Sequence, residues 1–443
     1  ESHLNHIEGD HYSQLFRKIY SYCNLASDIR LKDEELIDPK FNLTKVIVLI
    51  RHGDRGPLRP VRNWNQISCD PRQYEYFDEF ELKKLNHYIQ DVKLNHNKLS
   101  HNPLSYPLIP SDNHCNLGQL TEYGVLQHLT LGSLLGQLYI RQLNFKSDNE
   151  IQLLCTQYVR TFQSASAFLY GFFSQSENLL NFHQFSNMQF VRGIFFCTSS
   201  YDFCMKRCDK LDELKNLMDH SKTSFLESQP LIKRLVYDLG LIISPHKNIS
   251  TQLYQTPVSI WDGLMAYFCH FQKLPCDSEG DCASHDDIGQ ILSYIKIHGK
   301  EMAESHTFRH MNWLKVYGFF NELVKHFNVE SDQHKFNLYS AHDLTIVAVS
   351  SALGFFDGKL PQYASRVIFE LYKHSNNLNY FRIIYNGKDV TGLTEICKMN
   401  PYDCLTLKGS NAKLIDVLAF NKYVKDRFEM ITNAKNYNDA CDL

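Results

Sequence analysis

Three short apolar runs punctuate the chain: Val46–Ile50, Ile151–Cys155 and Phe336–Tyr339. Each is too short for a helix and lacks helical spacing, so each predicts a buried strand. Each also stops abruptly in polar residues. These are Arg51-His52 after the first run, Thr156 to Arg160-Thr161 after the second, and Ala341-His342-Asp343 after the third. Helical patterns lie between the runs. In "LTEYGVLQHLTLGSLLGQLYIRQL", Thr121 is the expected N-cap, and Leu126, Leu129, Leu134 and Leu138 recur at helical spacing. Gly132 and Gly136 stand one turn apart and would let a second backbone approach. "RTFQSASAFLYGFF" opens with Arg160-Thr161 and continues as an apolar-faced helix, and "HTFRHMNWLKVYGFFNELVKHF" leads into the third strand. "SRVIFELYK" and "NYFRIIYNGKDVT" predict two further strands joined by "HSNNL". Residues 185–300 are less regular and cysteine-bearing, and read as an inserted, mostly helical cap. The expectation is an α/β fold with a mainly parallel central sheet flanked by helices, its core formed by 1–184 and 301–443.

In open α/β sheets, ligands bind beyond the carboxyl ends of the strands. Three polar fragments from distant parts of the chain share that position, which argues for one common site. Composition adds bounds rather than detail. The 443 residues carry a net charge of −3, which gives no reason to expect nucleic acid. No stretch of 18 apolar residues occurs, so no membrane span is expected within this sequence. The chain begins at Glu1 without a signal-like segment, and is expected to lack a targeting region that precedes it in the whole protein. Thirteen cysteines, many in polar loop-like contexts, predict disulfides and a secretory-pathway compartment. Sequons at Asn42 and Asn248 agree. The odd count leaves a thiol over, and Cys155, ending an apolar run, is the expected one. Cys204 with Cys208, and His270 beside Cys269, have zinc-ligand residue types, but no paired CxxC motifs accompany them, and no metal is expected.

Arg51, Arg55, Arg160, His52 and His342 would concentrate positive charge in one cleft. Such a cluster needs an anion, and planar guanidinium groups match phosphate or sulfate oxygens in pairs. The histidines add chemistry. A neutral imidazole nitrogen can attack phosphorus and divide a hard displacement into two steps, and neighbouring arginines would keep that nitrogen unprotonated. Asp343 could protonate a leaving alkoxide. The arginines would neutralise the transition state, so no cofactor is expected. Asp54 either holds an arginine or is solvated. Thr156 and Tyr158 are backbone props, Gln127 and His128 packing residues, and Trp261 and Trp313 core residues by preference.

The stretch Arg51-His52-Gly53-Asp54-Arg55-Gly56-Pro57 resembles the RHGxRxP signature of the histidine acid phosphatases, a branch of the phosphoglycerate-mutase-like superfamily. "GQLTEYGVLQH", "VRTFQSASAFLYG", "YSAHDLTI", "PQYASRVIFEL" and "YNGKDVT" resemble its later segments, in matching order from about residue 45 to 395. The resemblance implies that His52 is the nucleophile that becomes phosphohistidine. It implies Arg51, Arg55, Arg160 and His342 as phosphate ligands and Asp343 as the proton donor. Gly53 would permit close backbone approach. Among family members, "RHGDRGPL", "CHFQKLPCDSEGDC" and "NYNDACDL" most resemble those that remove the 2-phosphate of xylose in the glycosaminoglycan–protein linkage region.

That finer resemblance implies a substrate on a proteoglycan core protein and glycosyltransferases of the same pathway as companions. It also implies a lumenal fragment of a type II Golgi membrane protein, with a secreted or lysosomal enzyme as the alternative. A broader acid phosphatase, a lysophospholipid phosphatase and a glycan- or phosphate-binding module without turnover are the competing readings. Trp64 is the first candidate to stack on a sugar, with Arg59 beside it in the loop after the signature.

Overall fold

The computed structural model describes residues 10–34, 37–73, 79–95, 104–110, 115–174, 188–191, 193–195, 208–245, 253–328, 333–407 and 412–442. The strands are β1 (Phe41–Arg51), β2 (Ile151–Thr156), β3 (Gln189–Val191), β4 (Phe336–Ala341), β5 (Arg366–His374), β6 (Asn379–Tyr385), β7 (Lys388–Asp389), β8 (Cys404–Thr406) and β9 (Lys413–Asp416). They form one sheet in the order β3-β2-β4-β1-β5-β6-β9-β8, with β7 beside β6. The first four strands of that order run parallel. From β5 outward the pairing is antiparallel, beginning with the hairpin expected around "HSNNL".

The apolar runs are continuous rather than alternating because both faces of the sheet are covered. Ile47 and Leu49 of β1 point into one cluster, and Val46, Val48 and Ile50 into the other. The first face is covered by α5 (Asp209–Glu227), α9 (His306–Phe327), α10 (Asp343–Leu353) and α11 (Val417–Thr432). The second is covered by α2 (Glu79–Leu94), α3 (Glu122–Leu143) and α4 (Val159–Phe173). Helices α1 (Asp10–Cys23), α6 (Pro230–Ile243), α7 (Pro257–Phe268) and α8 (His285–Glu304) enclose a third cluster with Val61, Ile67 and Cys69. Within the span 185–300, β3 extends the sheet and α5 packs on its face. We therefore propose that the cap proper is α6 to α8, joined by α1 from the other end of the sequence.

Five disulfides link described residues: Cys23–Cys269, Cys69–Cys115, Cys208–Cys441, Cys276–Cys282 and Cys397–Cys404. The free cysteine among the described residues is Cys155, buried in β2 as expected. Cys197, Cys204 and Asn248 lie outside the described residues. Asn42 is exposed on β1. No described helix is long and apolar enough to cross a membrane.

The α3–α4 seam sets the position of the helix that carries Arg160. A Cβ on Gly132 or Gly136 would collide with the carbonyl oxygens of Phe168 and Phe172, and one on Gly171 with that of Leu129. Three glycines interlock, and the spacing of Gly132 and Gly136 foretold the approach. Gly132→Ala should gain about 1 kcal/mol of helix propensity. Overpacking at the seam should cost more, about 3 kcal/mol. A melting temperature several degrees below wild type is the expected outcome; an unchanged or higher one would refute the seam.

Candidate functional site

The sheet register aligns the three strand ends. Arg51 of β1 pairs with Ala341 of β4, and Cys155 of β2 with Ser340. The His52 amide then donates to the Ala341 carbonyl at 2.9 Å. Beyond the ends, α4 begins at Val159 and α10 at Asp343, with His342 as its N-cap. Two helix N-termini thus add partial positive charge to the residues the sequence had grouped.

The loop after β1 is held from below. A Cβ on Gly53 would collide with the Gly124 backbone, and one on Gly124 with the Asp54 backbone. Only glycine fits this close crossing of loop and helix. The Gly53 amide donates to Ser164 Oγ at 3.1 Å and the Asp54 amide to Gln127 Oε1 at 2.7 Å. The Gln127 side-chain amide donates onward to the carbonyls of Cys23 and Asn24, each at 2.7 Å. Gln127 is therefore an organiser of the loop and not only a packing residue. His128 is fully buried, and that burial drives its pKa down to about 3.

All six side chains singled out as charged or chemical meet here. Arg51 is fully buried. It donates to the Pro361 carbonyl at 2.6 Å and to the Tyr22 hydroxyl at 3.1 Å, and lies 3.3 Å from an Asp343 oxygen. The Tyr363 ring stacks on its guanidinium, centroid 4.3 Å away. Arg55 pairs with Asp262 at 2.7 Å. Arg160 lies over the Tyr158 ring at 4.6 Å and reaches His342 Nδ1 at 3.4 Å. No carboxylate pairs with Arg160 among the described residues. The Nε groups of Arg51, Arg55 and Arg160 are buried and have no acceptor among them either.

The His52 and His342 rings face each other edge-on, 5.5 Å apart. His52 Nδ1 is 2.8 Å from the Gly53 carbonyl, which can only accept, so Nδ1 carries the proton and Nε2 keeps its lone pair. Burial, then Arg160 and Arg51, hold the His52 pKa well below the usual histidine range. Arg160 can only donate, so His342 Nδ1 accepts and its Nε2–H donates to Thr156 Oγ1 at 2.9 Å. Burial and Arg160 lower the His342 pKa to about 3. Burial alone would raise the Asp343 carboxyl, but Arg51 and Arg55 outweigh it and hold it below the usual range. Burial and Arg55 lower Arg160 to about 10, the mark of a cation crowded by cations. The site is thus a cationic cradle with one bare imidazole nitrogen and one half-exposed carboxylate.

Several expectations need correction. Asp54 neither holds an arginine nor meets solvent: it is fully buried, with Oδ2 accepting from Thr121 Oγ1 at 2.6 Å and from His270 Nε2 at 2.7 Å. Burial alone would lower the His270 pKa, but Asp54 outweighs it and holds it above the usual histidine range. Thr156 and Tyr158 are more than props, since both side chains touch His342, and the Tyr158 ring, 41% exposed, also lies against Arg160. Trp64 is half-buried against the cap cluster, and Arg59 is exposed, its carbonyl accepting from the Tyr254 hydroxyl. Trp261 and Trp313 are core residues. Cys69, Cys115 and His270 come together, but both sulfurs are in a disulfide. Sequence reasoning missed Asp262, Tyr22 and Tyr363. Asp262 stands beside Trp261 in a helix that otherwise reads as core, and its partner lies 207 residues away.

Comparisons with known proteins fit this geometry. The human 2-phosphoxylose phosphatase 1 is 28% identical, over 95% of this chain and 85% of that protein. The Xenopus tropicalis 2-phosphoxylose phosphatase 1 is 27% identical, over 95% and 81%. The mouse lysophosphatidic acid phosphatase type 6 is 23% identical, over 78% and 79%. Among solved structures, the Bifidobacterium longum multiple inositol polyphosphate phosphatase bound to inositol hexasulfate superposes with a TM-score of 0.54 at 12% identity, covering 89% of this chain and 94% of that one. A Klebsiella phytase superposes with a TM-score of 0.52 at 15% identity, covering 89% and 96%. At those identities the likeness concerns the fold. The sequence profile of the histidine phosphatase superfamily, branch 2, matches residues 42–235 and 310–386. With that match over most of the chain, and with the signature loop at the carboxyl end of β1, the protein belongs to branch 2 of the histidine phosphatase superfamily.

Proposed function

We propose that the protein is a phosphomonoesterase that works through a phosphohistidine on His52, and that its substrate is the 2-O-phosphate of xylose in the glycosaminoglycan–protein linkage region. One observation carries the mechanism. The Nε2 lone pair of His52 stands bare in a cleft of three arginines, with its other nitrogen tied to a carbonyl. Arg51, Arg55 and Arg160 hold the phosphoryl oxygens, and His342 joins them in its other tautomer, Nδ1–H donating to the bound phosphate and Nε2 accepting from the Thr156 hydroxyl. His52 Nε2 attacks phosphorus while the bond to the sugar oxygen breaks, and that oxygen takes a proton from Asp343. In the second step Asp343 accepts a proton from water, the water oxygen attacks phosphorus, and the N–P bond breaks to release phosphate. The Gly53 carbonyl supports the positive charge on the phosphorylated ring.

The substrate rests on the relatives named 2-phosphoxylose phosphatase 1, which this chain matches over nearly its whole length. A Golgi lumenal setting, a membrane anchor outside this sequence and glycosyltransferase companions rest on the same likeness. The five disulfides agree with a lumen. Tyr158 joins Trp64 and Arg59 as a candidate to face the sugar, and it is the one whose ring already borders the cradle.

His52→Ala should abolish turnover while the protein still melts cooperatively; activity above a few per cent of wild type would remove His52 as nucleophile. Asp343→Asn should hurt a sugar phosphate far more than para-nitrophenyl phosphate, whose phenolate leaves unprotonated. Equal losses would end its role as acid. The pH profile follows from the depressed carboxyl. Asp343 is ionised in the free enzyme, so the needed proton arrives on the monoanionic phosphate, and kcat/KM should fall above about pH 6, the second phosphate pKa. His52 stays neutral throughout and contributes no limb. A kcat/KM that climbs from pH 5 to pH 8 would contradict this. For the substrate, phosphate release from a linkage tetrasaccharide bearing 2-phosphoxylose should be far more efficient than from para-nitrophenyl phosphate or lysophosphatidic acid. No release from the glycan with good aryl turnover would discard the phosphoxylose reading alone.

A further inference from the structure

We propose that α7 and the turn that follows it are the positioning arm of the anion-binding loop, with Asp262 fixing the direction of the Arg55 guanidinium and His270 anchoring the loop through Asp54. The proposal rests on the reading of Arg55 as a phosphate ligand. Asp262 grips the loop twice: Oδ1 accepts from Arg55 at 2.7 Å and Oδ2 from the Leu58 amide at 2.9 Å. One carboxylate thus sets both the guanidinium and the chain beyond it. The other Arg55 contact, from Nη1 to the neighbouring Gly56 carbonyl at 2.9 Å, is local and does not aim the group across the cleft.

His270 lies just past the end of α7 and is buried. Its Nδ1 meets the Ala266 carbonyl at 2.8 Å and its Nε2 the Asp54 carboxylate at 2.7 Å. Both partners accept, so both nitrogens carry protons and the ring is an imidazolium. The adjacent Cys269 is bonded to Cys23, whose neighbour Tyr22 accepts a hydrogen bond at its hydroxyl from Arg51. One helix therefore holds two successive loop residues and is cross-linked to the element that contacts a third. Neither Asp262 nor His270 touches the reacting atoms; both act through the residues they hold.

The test is the binding of inorganic phosphate, by calorimetry, to the whole chain with disulfides intact, read beside para-nitrophenyl phosphate kinetics. In Asp262→Asn the phosphate Kd and KM should rise about tenfold with a much smaller change in kcat, the pattern of a lost ground-state contact. The melting temperature should stay near wild type. Phosphate binding equal to wild type in a folded Asp262→Asn would overturn the proposal, whereas absence of binding by the wild type would overturn it together with the function it rests on. If Asp262→Asn does not fold, Asp262→Glu, which keeps the charge, should bind more tightly than Arg55→Ala; binding no better would overturn it. For the second anchor, Asp54→Asn and His270→Gln should each weaken phosphate binding, and the double variant should be no worse than the worse single one. Additive losses would refute the coupling.

Discussion

Three arginines brought together at the ends of parallel strands repel one another, and the surrounding structure answers that repulsion. Asp343 meets Arg51 and Asp262 meets Arg55, while among the described residues Arg160 has only the Tyr158 ring, the Gly118 carbonyl and His342. Burial and the remaining positive potential depress both histidines and keep the Nε2 lone pair of His52 free at mildly acidic pH. A cluster of this kind persists only where rigid elements on all sides enforce it. The three-glycine seam of α3 and α4 and the Gly53–Gly124 crossing supply that rigidity at the points where helix and loop approach most closely.

The backbone frame was legible because its signals are local. Apolar runs broken by arginine and histidine marked the strand ends, and the spacing of leucines and glycines marked the helices that pack beneath them. The signature residues were legible because they sit together in sequence. What stayed hidden depended on long-range pairing. Asp54 looked like a loop carboxylate with two ordinary fates, and its actual partner, His270, lies 216 residues away. Asp262 is one acidic residue in an apolar helix, a pattern as common in solvated helix faces as in clamps. Thr156 and Tyr158 gained their contacts only because β2 ends level with β4. Trp64 stands in the loop after the signature as a candidate to stack on a sugar, but the cap cluster takes up part of its surface.

The antiparallel half of the sheet has a different character. From β5 outward it carries none of the six charged side chains, and the α11 helix packs against its face. Its contribution to the site is a single turn, Pro361 to Ala364, which gives a carbonyl to Arg51, a ring above the same guanidinium and an amide to the His52 carbonyl. The parallel half therefore carries the cationic cradle, and this turn closes it from the other side.

The bond between Cys23 and Cys269 has a consequence for how the molecule is made. Its ends are separated by 246 residues, so at ribosomal speeds of about 5–20 residues per second the first thiol waits roughly 12–50 s for its partner. Cys69 and Cys115, which belong to each other, emerge during that interval. Oxidation that runs faster than synthesis would pair the N-terminal thiol with the wrong neighbour and leave Tyr22 away from Arg51. Correct assembly thus depends on a compartment that can reshuffle early bonds as well as form them.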